Sequence, residues 1–314
     1  MPFMFIFLII FSSQVYAGSK STSFKSESPR RHDASEFLLP DQLVNCEELA
    51  EFLGPTIYLE HGRFLNIKNL TSDDNLSHHI EDVISTKAIY LQSMPVTQAQ
   101  YDRVRGFQAA AEKINPSDKD AYKKVPDLLG PNKPMVGLSP NDWHDYIIEL
   151  NSNLTTFWRT RHSKSLWNPH VRLPTEPELK YAMTHPAQYV NLPDGTLGTG
   201  VLLEHSGTDS KEDSECSNFV IFNRPSEDSA CPVGTKNPNA RGFYDLNGNI
   251  WQLTNSIDPF DDSSFLILGG AWYLQRKDCR SVSCSSVNKS FKLRDMGARL
   301  VLEWTNFTDL HLSY

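Results

Sequence analysis

Two cysteines, Cys279 and Cys284, stand with four residues between them in the segment GGAWYLQRKDCRSVSC. Thiolates are soft ligands, and two of them suit a soft metal ion rather than ions that prefer oxygen. Side chains five apart on a regular strand point to opposite faces, so the chain must bend before both sulfurs can meet one ion. The short side chains of Ser281, Val282 and Ser283 accommodate such a bend, and the neighbouring Arg276, Lys277 and Arg280 favour the thiolate form. A small disulfide between the two is the competing chemistry. The chain has five cysteines, an odd number, so in an oxidising compartment at least one has no partner within the chain. Cys216 and Cys231, separated by a polar loop, are a candidate structural disulfide, which leaves Cys46 unassigned.

The compartment itself is suggested by the first residues, MPFMFIFLIIFSSQVYAGSK. An apolar run, a short polar stretch and small residues before position 18 predict an export signal over residues 1–17. Residues 18–35, rich in Ser and basic side chains with a single Phe24, bury too little apolar surface to order themselves and are expected to be a flexible leader. Residues 36–314 show no repeat of fixed period and no linker block, which predicts one domain. No later stretch approaches the ~20 apolar residues of a membrane span. The formal net charge is -8, which argues against nucleic acid as a partner because phosphate binding needs a basic face. The Lys/Arg-rich run from Arg276 to Arg299 is expected to be solvated surface.

The elements that must position these residues are short and mixed. DQLVNCEELAEFLG has helical spacing and stops at Gly54; residues 88–94 read as a strand. Three N-caps follow: Thr97 with Gln100, Ser139 ahead of Trp143, Tyr146, Ile147 and Leu150, and Thr175 with Pro177 and Glu178. Residues 189–239 are dense in Gly, Ser, Asp, Asn and Pro, a loop long enough to need ions, disulfides or function to explain it. Strands return near residues 265–268 and 298–304. The fold class is α+β with few regular elements.

Six segments in order, MPVTQAQY, KPMVGLSPNDWHDY, RLPTEPELKYA, GFYDLNGNIWQLT, LGGAWYLQRKDCRS and MGARLVL, resemble the formylglycine-generating enzyme / sulfatase-modifying factor domain. The resemblance runs from about Phe64 to Trp304. It implies a variant of the C-type-lectin-like architecture with low regular secondary structure, steadied by Ca²⁺. By the same resemblance the calcium ligands are Asp245, the carbonyls of Gly248 and Ile250, and Gln252, where the family has Glu. A carboxylate, two carbonyls and an amide oxygen are hard donors of the kind Ca²⁺ takes. The alternative is a Gly-Asn turn over a buried Trp251 with no ion.

The resemblance further implies a copper-dependent oxidase that converts the cysteine of a Cys-x-Pro-x-Arg segment in an extended sulfatase peptide to formylglycine, with Cys279 and Cys284 as copper ligands and catalytic residues. The chain departs from the family at Lys277-Asp278 before the first cysteine, at Trp251-Gln252-Leu253 and at Gly297-Ala298-Arg299, which marks a divergent member. The competing expectation is an exported, non-catalytic binding module that uses the same scaffold for a protein or glycan partner. An iron-dependent, sulfoxide-forming relative would need a His-x3-His-x-Glu spacing, which His78, His79 and His144 do not provide. Trp143, Trp167, Trp251 and Trp272 are expected to lie in the core.

Overall fold

The computed structural model describes residues 46–68, 79–106, 109–114, 129–186, 190–192, 195–224 and 229–306. The expected export signal (1–17) and leader (18–35) lie outside them. In chain order the elements are a 3-10 turn, Cys46–Leu49, then α1 Ala50–Leu53, β1 Thr56–Leu59, β2 Gly62–Lys68, β3 His79–Thr86, β4 Ile89–Gln92, α2 Gln98–Arg105, α3 Ala109–Ile114, α4 Pro140–Arg161, β5 Trp167–Arg172 and α5 Glu176–Met183. Four two-residue strands follow, β6 Thr184–His185, β7 Val190–Asn191, β8 Leu197–Gly198 and β9 Val201–Leu202, with a single turn of helix, α6 Asp213–Cys216. The last part is β10 Trp251–Asp258, β11 Asp261–Leu268, β12 Cys284–Asn288, β13 Met296–Gly297 and β14 Val301–Asn306.

The three capping expectations hold at atomic detail. Thr97 Oγ1 accepts from Gln100 N, Ser139 Oγ from Asp142 N and Thr175 Oγ1 from Glu178 N, and each N3 side chain returns a bond to its cap backbone. Each box satisfies two amide protons that the first turn leaves without partners. At α1 the Gly54 N–H closes on Ala50 O, ending the helix where the glycine predicts.

Two four-stranded sheets carry the domain. The first has the order β1-β4-β14-β5, all antiparallel, and the second the order β12-β11-β10-β13, in which only the β10–β13 pair is parallel. β2 and β3 form a separate hairpin. On α4, Trp143, Tyr146, Leu150, Leu154 and Trp158 repeat at three- and four-residue spacing and are all buried, so one face of the long helix closes the main core. A second cluster gathers Phe64, Leu91, Leu179, Phe243 and Val301. Trp143 and Trp272 are fully interior, as expected, whereas Trp167 and Trp251 are only half-buried.

Residues 195–239 contain nothing longer than four residues of regular structure among the described residues, in keeping with the expected long loop. Backbone and side-chain bonds hold it instead. Asn239 Nδ2 donates to Ala182 O and Ser206 Oγ, and its Oδ1 accepts from Arg241 N and Phe243 N. Arg241 reaches back to the carbonyls of Thr184 and Thr199.

Candidate functional site

Cys279 ends the 3-10 turn Arg276–Asp278, and Cys284 opens β12 opposite Leu268. Between them Ser283 N donates to Arg280 O, so the segment bends as the spacing requires. The bend leaves the two thiols in different environments. Cys279 is fully buried, its Sγ donating to Ala271 O at 3.5 Å, with Gly270 packed against it. A Cβ at Gly270 would come within 2.8 Å of that sulfur, and Gly270 holds φ at +81°, so only glycine fits. Cys284 is exposed, its Sγ 3.7 Å from Ser285 O.

Burial pushes the Cys279 thiol up to about 12, and the Asp278 carboxylate adds to the rise. The basic residues expected to help the thiolate do not act on it, because Arg276 is turned to Asp213 (3.0 Å) and Arg280 lies along Glu204 at 4.0 Å. A two-thiolate copper centre needs both sulfurs ionised toward one ion. In this structure one sulfur is a core thiol whose pKa burial raises, and the other lies at the surface.

The expected Cys216–Cys231 disulfide is corrected by the structure, for both are free thiols. Cys216 is fully buried on α6, its Sγ 3.2 Å from Ser210 O and 3.4 Å from His205 Nδ1. Cys231 is half-buried and accepts from Arg224 Nη1. Each sulfur already has polar partners of its own, which is how the loop is held without a cross-link. The side chain of Cys46 lies outside the described residues.

His205 is a residue that the sequence reading did not single out. Its Nε2 lies 3.1 Å from Arg276 O, which assigns the proton to Nε2, and its Nδ1 lies 3.4 Å from Cys216 Sγ, whose S–H donates to Ser210 O. Burial lowers its pKa, with smaller opposing contributions from the Arg276 carbonyl and Glu204. A depressed folded value means that its stabilising contribution is present above the unfolded value of about 6.5 and is lost as pH falls through that value toward the folded one. His205→Asn keeps an acceptor near Nδ1 but does not titrate. Thermal melts taken from pH 7.5 down to pH 5.5 should therefore fall less steeply for His205→Asn than for the wild type, and parallel slopes would remove His205 from the acid response.

The residues expected to ligate calcium are all placed within one tight segment, and all are engaged by protein donors. Asp245, with φ +51°, is buried; its carboxylate accepts from Gly234 N at 2.7 Å and Asn249 Nδ2 at 3.4 Å. Gly248 O accepts from Ile250 N, and Ile250 O from Gln252 Nε2 at 3.2 Å. Gln252 Oε1 accepts from Arg299 Nε at 3.1 Å. Each of these oxygens already accepts from a protein donor, and with Gln252 in the family's Glu position the set offers Ca²⁺ one carboxylate, from Asp245. Asn249 also binds this segment to the cysteine loop, its Oδ1 accepting from Cys231 N. Arg299 closes the basic run expected to be solvated surface, and the structure corrects this, since Arg299 and Arg280 are both buried; the one charge inside the apolar run MGARLVL was the signal for Arg299.

A low-helix α+β domain of two small sheets, with its C-terminal third folded around a Gly-Asn turn and a Gly-Gly step, defines the scaffold class. The chain belongs to the family of sulfatase-modifying factor enzyme 1-like domains, whose model matches residues 46–304. No curated protein matches it. Among solved structures it is similar to variable protein 1 of Treponema denticola, at 17% identity and a TM-score of 0.57 over 78% of this chain and 94% of that one. It is also similar to PvdO from Pseudomonas aeruginosa, at 18% and 0.53 over 79% and 94%. A third, CarF, matches at 19% and 0.51 over 78% and 97%. At these identities the likeness shows the shared fold.

Proposed function

We propose that this chain is a non-catalytic recognition module on the sulfatase-modifying-factor scaffold, exported and directed at a protein or glycan partner. The supporting observation is the state of Cys279: a fully buried thiol raised to about 12 and bonded to Ala271 O. Formylglycine formation needs a thiolate centre open to a peptide cysteine, and that residue is closed into the core. Loops, by contrast, leave accessible surface. A cavity of about 590 Å³ opens beside α6, lined by Ser214, Ser217, Phe222, Asn223, Arg224 and Lys236 among others. Polar side chains on an apolar wall suit recognition of a partner, and the scaffold supplies rigidity beneath them.

The test is the oxidase reaction itself. The full chain, reduced, supplied with Cu(I) and air, is incubated with a Cys-x-Pro-x-Arg peptide, and conversion of thiol to aldehyde is followed by mass spectrometry beside Cys279→Ser and Cys284→Ser. The expected result is no conversion, with Cys284 alkylated rapidly and Cys279 only on unfolding. Copper-dependent conversion that both substitutions abolish would replace the recognition reading with the oxidase.

A further inference from the structure

We infer that Arg299, not a metal ion, is the structural cation of the Asp245–Gln252 segment, so that this chain folds and melts without regard to calcium. The inference is independent of whether the module is catalytic. Arg299 is fully buried, and its guanidinium donates to five oxygens: Gln252 Oε1 at 3.1 Å, Gln92 O at 3.4 Å, Ser93 O at 3.2 Å, Tyr244 O at 2.7 Å and Asp245 O at 3.0 Å. Of the expected calcium donors the fork takes Gln252 Oε1, and its other four partners are main-chain carbonyls that flank the segment. Burial raises the pKa of the Asp245 carboxyl, and the positive charge of Arg299 opposes that rise.

The identity of residue 252 makes the closure specific. Because Arg299 Nε donates to Gln252 Oε1, the amide is oriented and its Nε2 must face Ile250 O, to which it donates at 3.2 Å. A glutamate in the same pose would set a second carboxylate oxygen against that carbonyl. Two acceptors at that separation repel unless a cation lies between them. The amide N–H therefore does directly what a bridging ion would do for a carboxylate. A divalent ion added here would bring two charges beside the buried Arg299 guanidinium and would share the Asp245 carboxyl with the Gly234 and Asn249 donors.

Thermal unfolding of the full chain should give the same midpoint in excess EGTA and in saturating CaCl₂, and elemental analysis after dialysis should find no stoichiometric calcium. Gln252→Glu should acquire a calcium-dependent rise of several degrees, with the rise absent in MgCl₂, whose ion demands a stricter geometry. A calcium-dependent midpoint in the wild type, or calcium retained at one per chain, overturns the inference. So does a folded Gln252→Glu that ignores calcium, since the amide would then not be what closes the position. Should Gln252→Glu fail to fold, the wild-type comparison decides alone.

Discussion

Arg299→Met should lose about 3–5 kcal/mol of folding stability, the range for breaking a buried charge arrangement by removing one partner. Methionine fills much of the space but donates nothing. The substitution strands Gln252 Oε1 and the carbonyls of Gln92, Ser93, Tyr244 and Asp245, and it removes the positive charge that opposes the burial-driven rise of the Asp245 pKa. The loss is also architectural. Gln92 ends β4 in the first sheet and Gln252 lies on β10 in the second, so Arg299 bonds both sheets through one side chain. Gln92 reinforces the joint, its Oε1 accepting from Leu300 N and its Nε2 donating to Leu53 O. Arg299→Lys, which keeps the charge but not the fork, should fall between Met and the wild type. Urea unfolding followed by circular dichroism measures both; a loss under about 1 kcal/mol for Arg299→Met would mean that the carbonyls find other donors.

Gly248→Ala should cost about 3 kcal/mol or more, combining a left-handed backbone for a residue with a Cβ and overpacking against main chain. Gly248 holds φ at +66°, and a Cβ there would lie 2.1 Å from Ile221 O. That carbonyl accepts from Asn249 N across a parallel bridge between Ile221 and Gly248, so neither strand can move aside without losing the bond. The displacement should pass to Asn249, whose side-chain Oδ1 accepts from Cys231 N and whose Nδ2 donates to Cys231 O. Native-state alkylation of Cys231 should then accelerate together with the drop in melting temperature. A variant that melts with the wild type, with unchanged Cys231 labelling, would sink both expectations.

Local rules reached a good part of this fold. The caps at Thr97, Ser139 and Thr175 were legible because a hydroxyl, a nearby acceptor side chain and an apolar stripe all lie within one turn and compete with nothing distant. The strand pairings were less so. β5 was not anticipated, since its partner β14 lies more than a hundred residues away and its burial pattern follows from α4 packing on it. The expected strand over residues 298–304 begins only at Val301, because Ala298 to Leu300 is shaped by Arg299 reaching the opposite sheet.

The candidate site shows the same division more sharply. The amino-acid order by itself determined the family, the helix starts, the loop-rich middle and the presence of a bend between Cys279 and Cys284, all consequences of residue types acting over a few positions. Only the tertiary structure decided what those types do. Whether a thiol is a ligand depends on its burial and on which charge stands beside it, and here Asp278 and the core, not Arg276, set the state of Cys279. Whether Cys216 pairs with Cys231 depends on how the folded loop turns His205 and Arg224 onto their sulfurs. The Gln252 amide oxygen is taken by Arg299, nearly fifty positions further on. Spacing proposes donors, but solvation and long-range partners, which no local window contains, decide whether they remain available.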